Sequence, residues 1–390
     1  MSIAALIFWT CLFLILYTYF LYPAILFVAY TVEQFRRDVN YLARRRNRRA
    51  AAPQHADLLP VTMLVPVYNE EEHLEEKIEN LAAMDYPTDK LQVIFVSDGS
   101  TDRSNEILGR LKRPGVEVIF KERAGKPSAL NVAMERARNP VIVFSDGSTL
   151  FEPDALRMLV RHFSSPEVGV VCGSLRFATN SQSQQTEGVY WRYESMLRLM
   201  EARLGATLTS SGAIYAIRRE AWAPLSPDTI LDDLMTVVNA RKQGYTVVYD
   251  CEAIALEFAP QSVKGEFARR VRIAIGSFRS LRELMHASLP AFTCFALFSH
   301  KLARWMVPFL LVGVVLSNAL LLNSHTYALL FVGQVIFYAW AAAGFLFEEH
   351  MRRVRFALVG YFLLAMNLAF LVGLYRCLTS RKDGFWQRVN

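Results

Sequence analysis

Val61-Thr62-Met63-Leu64-Val65-Pro66-Val67-Tyr68-Asn69-Glu70 is the stretch on which the fold is decided. A short β-branched run ends there on a polar turn, and the same arrangement recurs twice. Leu91–Ser97 leads into Asp98-Gly99-Ser100, and Val141–Ser145 into Asp146-Gly147-Ser148. Helix-like stretches separate the runs, at Glu70–Ala83, Arg103–Leu111, Lys126–Ala137 and Pro153–Phe163, with further strands at Val116–Lys121 and Val168–Cys172. Strand and helix in alternation predict an α/β domain whose mostly parallel sheet is covered on both faces. Ligands of such sheets sit beyond the carboxyl ends of the strands, so the three polar turns become the candidate binding edge. A single Asp-Gly after a strand is an ordinary turn. Two at one sheet edge make a binding role an equal competitor. No G-x-G-x-x-G follows the first strand and no G-x-x-x-x-G-K-[ST] occurs, which disfavours dinucleotide-binding and P-loop folds.

Further along, Ser211 to Tyr249 contains Ile230-Leu231-Asp232-Asp233-Leu234. Adjacent carboxylates among apolar residues must face water or have their charge matched. Taken alone, the pair reads as an acidic cap on a helix N-terminus. Glu187–Leu204 places Tyr190, Tyr193, Leu197, Met200 and Leu204 on one face, the pattern of a core helix. Val263–Met285 is different. Phe267, Val271, Phe278, Leu281 and Met285 share a side, while Lys264, Arg269, Arg270, Arg272, Arg279 and Arg282 crowd the others. Such a cationic helix suits an anionic membrane surface, and part of it suits an anionic ligand.

The ends are apolar. Of 390 residues 53% are hydrophobic, and the formal net charge is +7. Ile3–Tyr30 carries no charge, is longer than the ~20 residues that cross a bilayer, and lacks a cleavable leader's basic start and cleavage site. Arg36, Arg37, Arg44, Arg45, Arg46, Arg48 and Arg49 follow directly. A nucleic-acid patch is one reading of that cluster. After an apolar span it marks the cytoplasmic side, so no nucleic-acid partner is expected. Further spans are predicted at Met306–Leu322, Tyr327–Phe347 and Phe356–Leu374, with Ala291–Phe298 as a re-entrant or interfacial piece. Four spans leave the tail outside, against the preference of Arg376, Arg381, Lys382 and Arg388 for the inside. The expected division is an anchor at 1–35, a basic linker at 36–60, a cytoplasmic domain at 61–260, interfacial helices at 261–304 and membrane helices with a tail at 305–390. Cys11, Cys172, Cys251, Cys294 and Cys377 form no C-x-x-C, and a disulfide framework or zinc site is not expected.

Together these motifs resemble the membrane-bound family 2 glycosyltransferases, the group of cellulose, hyaluronan and poly-N-acetylglucosamine synthases and related exopolysaccharide enzymes. Val65-Pro66-Val67-Tyr68-Asn69-Glu70 is similar to the family's opening strand and turn, and Val96–Asp102 to its nucleotide-binding turn. Ala124-Gly125-Lys126-Pro127-Ser128-Ala129-Leu130-Asn131 matches its G-K-x-x-A-L-N segment, and Asp146-Gly147-Ser148 stands at its D-x-D. Ser211-Gly212-Ala213 resembles its acceptor-side loop, and Leu231-Asp232-Asp233 its T-E-D. The resemblance implies a GT-A-like, Rossmann-type domain inserted between transmembrane helices of the plasma (inner) membrane. It implies an inverting, hexosyltransferase-type enzyme that moves a sugar from a cytoplasmic UDP-sugar to a growing polysaccharide or a polyprenyl-linked glycan. Asp233 becomes the base, Asp146 the aspartate of Mg2+ or Mn2+ and diphosphate, and Asp98 the nucleoside contact. Pro66, Tyr68, Glu70, Lys126, Arg269 and Arg270 join the donor side. Ser211, Gly212, Ala213 and Asp232 form the acceptor side. The lipid bilayer and polysaccharide-assembly proteins are the implied partners.

Two positions depart from that pattern. Ser148 replaces the second aspartate of D-x-D, which removes one carboxylate from the metal. Q-x-x-R-W falls on Phe267–Val271, where only Arg270 matches and Val271 replaces the tryptophan. These departures motivate the alternative of a non-catalytic membrane subunit of a polysaccharide export complex.

Overall fold

The computed structural model describes residues 2–44, 58–178, 182–258, 263–346 and 355–379. Its centre is an eight-stranded sheet. The strands are β1 (Val61–Val67), β2 (Leu91–Asp98), β3 (Val116–Lys121), β4 (Val141–Ser145), β5 (Leu150–Phe151), β6 (Val168–Ala178), β7 (Ile214–Arg218) and β8 (Thr246–Phe258). Their order is β3-β2-β1-β4-β7-β6-β8-β5. The β1–β2, β2–β3, β1–β4 and β6–β8 pairs are parallel, while β7 runs antiparallel to β4 and β6, and β5 to β8. The mostly parallel sheet expected from the alternation is therefore present, with one reversed strand inserted beside β4.

Both faces of the central strands are buried because side chains alternate along a strand. Leu64, Ile94, Val96 and Ile142 pack with Ala129, Leu130, Ala133 and Met134 of α5 (Lys126–Arg136) and with Leu234 and Met235 of α8 (Asp232–Lys242). Met63, Val65, Val93 and Phe95 point the other way. They meet Leu74 and Leu81 of α3 (Glu71–Ala82), Leu108 of α4 (Ser104–Arg110) and Leu156 and Leu159 of α6 (Ala155–Val160). All three polar turns consequently emerge at one end of β1, β2 and β4.

At the N-terminus, α1 (Ile3–Leu16), a π-helical turn (Tyr17–Leu21) and α2 (Tyr22–Arg44) form one continuous helix. Pro23 lacks an N–H and cannot bond the carbonyl four residues back. That carbonyl, of Tyr19, instead accepts a 3.0 Å bond from Tyr193 Oη, and the wider π turn lets the helix continue. Three helices among the described residues are long and apolar enough to cross a membrane: Ile3–Asn40, Ala291–Ala319 and His325–Ala343. The second comprises α10 (Ala291–Ala296), a π turn (Leu297–Leu302) and α11 (Ala303–Ala319). Ala291–Phe298 is thus the beginning of a straight-through helix after Pro290, where a re-entrant or interfacial piece was expected. Likewise the basic linker expected from residue 36 is helical as far as Arg44, and 45–57 lies outside the described residues. The remaining apolar helices are α12 (His325–Leu346) and α13 (Arg355–Thr379), while Arg381, Lys382 and Arg388 lie outside the described residues. On α9 (Val263–Met285), Val271 and Ile275 bury against Ala369 of α13, so part of the apolar side expected on the membrane is covered by protein.

A buried polar cluster fastens the sheet domain to these helices through α7 (Gln182–Arg203). Glu201 accepts from Tyr22 Oη at 2.7 Å and lies 2.6 Å from His300 Nδ1. Glu194 lies 3.1 Å from His300 Nε2 and 2.6 Å from Arg304. Burial opposes ionisation of Glu194, but His300 and Arg304 outweigh it and hold its carboxyl well below the usual range. A depressed carboxylate stabilises the fold above its unfolded pKa and loses that contribution as pH falls through the folded value. Removing one partner leaves buried charge behind, so Glu194→Ala should cost about 3–5 kcal/mol. Thermal unfolding in detergent at neutral pH should show a large drop in Tm, and the deficit should shrink as the pH is lowered.

Candidate active site

The edge is built turn by turn. After β1, Asn69 occupies the left-handed region with φ 52°, where asparagine is tolerated better than most residues. Its Oδ1 accepts from Thr101 N at 2.8 Å, while the Glu70 amide donates to Ser104 Oγ at 2.9 Å. The first turn is therefore stapled to the second. Pro66 lies in β1 opposite Val96, which fixes the register of the two turns. Glu70 is buried, and its Cγ would meet a Cβ on Gly147 at 3.1 Å, so the first turn also abuts the third.

Asp98, at the end of β2, is buried and fully engaged. It accepts from Lys121 Nζ at 2.6 Å, Ala124 N at 2.9 Å and Gly125 N at 2.7 Å. The loop beyond β3 is thereby folded over the second turn. Gly99 permits the approach: its φ is +69°, and an added Cβ would stand 2.7 Å from Arg123 N. Arg123 in turn lies over the Tyr68 ring, 3.0 Å from its centroid. Sequence motifs gave no reason to choose Arg123, since its position depends on this folded loop.

Lys126 opens α5 directly after that loop. Its Nζ lies 2.8 Å from Asp146 Oδ1 and 3.2 Å from Asp232 Oδ2. A Cβ on Gly212 would sit 3.3 Å from the same nitrogen and 3.9 Å from Asp233 Cβ. Four segments far apart in sequence thus meet around one ammonium. Burial works against its charge, yet Asp146 and Asp232 prevail and raise the proton affinity of Lys126 above that of an ordinary lysine. Ser211 bridges to Ile214 and Ala213 is buried, which holds the Ser211–Ala213 loop in place.

Asp232 and Asp233 are the first two residues of α8, where the helix dipole favours negative charge. Asp233 accepts from Leu234 N at 2.8 Å. Burial, reinforced by Asp232 and opposed by Lys126, pushes its pKa up to about 6. Behind the third turn, buried Lys77 donates to Ser145 Oγ at 2.7 Å and to the Thr149 carbonyl, bracketing Asp146. Burial pushes Lys77 down to about 7, against the pull of Asp146.

Arg269 and Arg270 lie half-buried on α9. The charge of Arg272, on the same helix, also acts on Asp146 and Asp232. Helix α9 is drawn close by Gly276, where a Cβ would reach Ile230 Cβ at 2.9 Å. Arg272 is not singled out by the sequence, because one arginine of a basic helix looks like the next until the helix is docked. Among the described residues no three His, Cys, Asp or Glu side chains gather as a metal cluster.

Comparison with known proteins follows the same lines. The sequence model of Glycosyl transferase family 2 matches residues 62–222, which hold Asp98, Lys126, Asp146 and Gly212. Residues 62–222 form a family 2 glycosyltransferase domain. Poly-beta-1,6-N-acetyl-D-glucosamine synthase of Staphylococcus aureus is 26% identical over 235 residues, 58% of this chain and 56% of that protein. The enzyme of the same name from Staphylococcus epidermidis is 24% identical over 238 residues, 58% of this chain and 57% of the relative. The chain spans about half the length of these curated relatives. Among solved structures, the mannosyltransferase PcManGT from Pyrobaculum calidifontis, in complex with GDP-Man and Mn2+, aligns with a TM-score of 0.68 at 22% identity. That match covers 92% of this chain and 99% of the other, and places the glycosyltransferase domain with its flanking apolar helices in a GT-A-like fold.

Asp98→Asn tests how the glycosyltransferase domain holds its edge. The amide places an NH2 against one of the two backbone donors and removes the charge matched to Lys121. Amide exchange at Ala124 and Gly125 should rise by about tenfold, with little change in the core of β2.

Proposed function

We propose that the protein transfers a sugar, with inversion, from a UDP-sugar to a growing polysaccharide or lipid-linked glycan at the cytoplasmic face of the inner membrane. The supporting observation is the meeting of Asp146, Asp232, Gly212 and Asp233 around Lys126, beside the loop held by Asp98. An anionic diphosphate needs cations about it, and the acceptor hydroxyl needs a base within reach. Both are present at one edge. The retention of these groups speaks against the non-catalytic subunit.

In this reading the nucleoside lies along the first two turns, with Pro66, Tyr68 and Glu70, and Asp98 fixes the wall of its site. Lys126, Arg272, Arg269 and Arg270 face the diphosphate and offset the charge that grows as the bond to the sugar breaks. Asp146 and Asp232 offer hard carboxylate oxygens of the kind Mg2+ or Mn2+ takes, and such ions leave further positions to water and phosphate. Apart from its ion pair with Lys126 at 3.2 Å, Asp232 Oδ2 is buried without a hydrogen bond, which fits an atom that an ion could share with that lysine. The ion, when bound, would neutralise diphosphate charge. Gly212 leaves room beside Asp233 for the acceptor, and Ser211 and Ala213 set the position of that loop. As the acceptor oxygen attacks the anomeric carbon, Asp233 takes its proton, and the bonding pair leaves with the diphosphate.

Membranes containing the protein, given radiolabelled UDP-sugars with Mn2+ or Mg2+, should incorporate label. Asp233→Asn should lower kcat by about 10²–10⁴-fold with donor affinity retained; undiminished incorporation would rule out this base. A ladder of products supports polymer growth, and a single extractable band supports transfer to a lipid-linked acceptor.

The pH profile follows from Asp233. Only the deprotonated carboxylate accepts a proton, so kcat/KM should fall as pH drops through about 6. A profile flat down to pH 4.5 would contradict the assignment.

A further inference from the structure

Helix α2 carries a second pattern, unrelated to catalysis. Ile25, Val28, Val32, Phe35, Val39 and Leu42 follow one another at alternating intervals of three and four, and all six are exposed. Phe35 and Leu42 are 70% and 74% exposed. The opposite face of the helix is occupied: Tyr22 and Leu26 are buried with Leu197 and Met200 of α7, and Arg37 donates to the Arg203 carbonyl.

Lipid accounts for the exposed apolar residues of α1 and can cover Ile25 and Val28, but it is a poor explanation for Val32, Phe35, Val39 and Leu42. The membrane-level part of the helix is the uncharged run Ile3–Tyr30, within which a Cβ on Gly313 of α11 would stand 2.9 Å from Cys11 Sγ and Trp9 donates to Tyr327 Oη at 3.0 Å. By contrast α2 beyond Tyr30 carries Glu33, Arg36, Arg37 and Asp38, and Arg37 there reaches the end of α7. Glu33 pairs there with Arg36 at 2.9 Å and with Arg37 at 2.8 Å. Beyond the first charge the stripe continues through Leu42 at intervals of three and four, the spacing of a coiled seam.

The residue types identify the partner. With Ile25, Val32 and Val39 at position a and Val28, Phe35 and Leu42 at position d, β-branched side chains hold every a position, the pattern of two-stranded parallel coils. Two copies inserted the same way in one membrane present α2 in parallel without further constraint. The flanking positions Thr31 with Arg36, and Asp38 with Ala43, bring no like charges together across the seam. The exposed area of the six side chains is roughly 700 Å² per copy, so a symmetric pair covers about 1,400 Å², within the ~1,200–2,000 Å² of stable interfaces.

We propose that α2 pairs with α2 of a second copy of this chain through the Ile25–Leu42 seam, placing two catalytic domains side by side on one membrane face. Single-cysteine variants Phe35→Cys, Leu42→Cys and Asn40→Cys, oxidised in native membranes, test the pairing. Asn40 is exposed on the helix but off the seam. A covalent dimer of this chain with Phe35→Cys and Leu42→Cys, at least tenfold more abundant than with Asn40→Cys, is the expected result. Equal cross-linking at all three sites, cross-linking at none, or capture of a different chain would overturn the proposal. Phe35→Asp with Leu42→Asp should move the solubilised protein from dimer to monomer while sugar transfer persists, whereas an unchanged mass would likewise overturn it.

Discussion

The ammonium of Lys126, held between Asp146 and Asp232, is the constraint on which the site depends. Three carboxylates at close quarters repel one another, and a buried group of that kind would otherwise take up protons or separate. One lysine, partly desolvated, makes their convergence tolerable. It can do so because α5 begins immediately after a loop that Asp98 has already fixed. The charge balance of the cleft and the geometry of the sheet edge are thus one problem, solved by the single segment 124–126.

The same economy links the site to the membrane. Asp233 opens α8, whose Leu234 and Met235 share a core with Leu297, Leu302 and Trp305 of the helix that continues into the apolar half. Alongside, Glu194 and Glu201 tie α7 to His300, Arg304 and Tyr22. The charge of Lys301, on the same π turn as His300, also acts on Asp233. The surroundings of Asp233 are therefore assembled partly from residues of the apolar helix Ala291–Ala319. Irregular helix at both π turns is the cost of bringing these polar groups into register.

Much of this was legible in the sequence because it is local. Strand-turn-helix order, the two Asp-Gly turns, the glycine before Lys126 and the acidic start of α8 are written within a few residues each. What sequence could not supply depends on docking. That the charge of Arg272 acts on Asp146 and Asp232 emerges only when α9 packs over Ile230 and Leu231. Arg123 gains its place over Tyr68 only when the loop folds back. Lys77 reads as one more surface residue of a charged helix, yet it is buried beneath the third turn. Ala291–Phe298 looked separate because it is short and bordered by Pro290, whereas the helix simply continues.

The most direct test of the central claim is the binding of UDP and of UMP, by calorimetry, to the wild-type protein and to Lys126→Met. If Lys126 holds the cleft's carboxylates together and faces the diphosphate, UDP affinity should fall by about 10–100-fold, the scale of a lost charge-assisted contact, while UMP binding changes little. Equal UDP affinity in the two proteins would contradict the account.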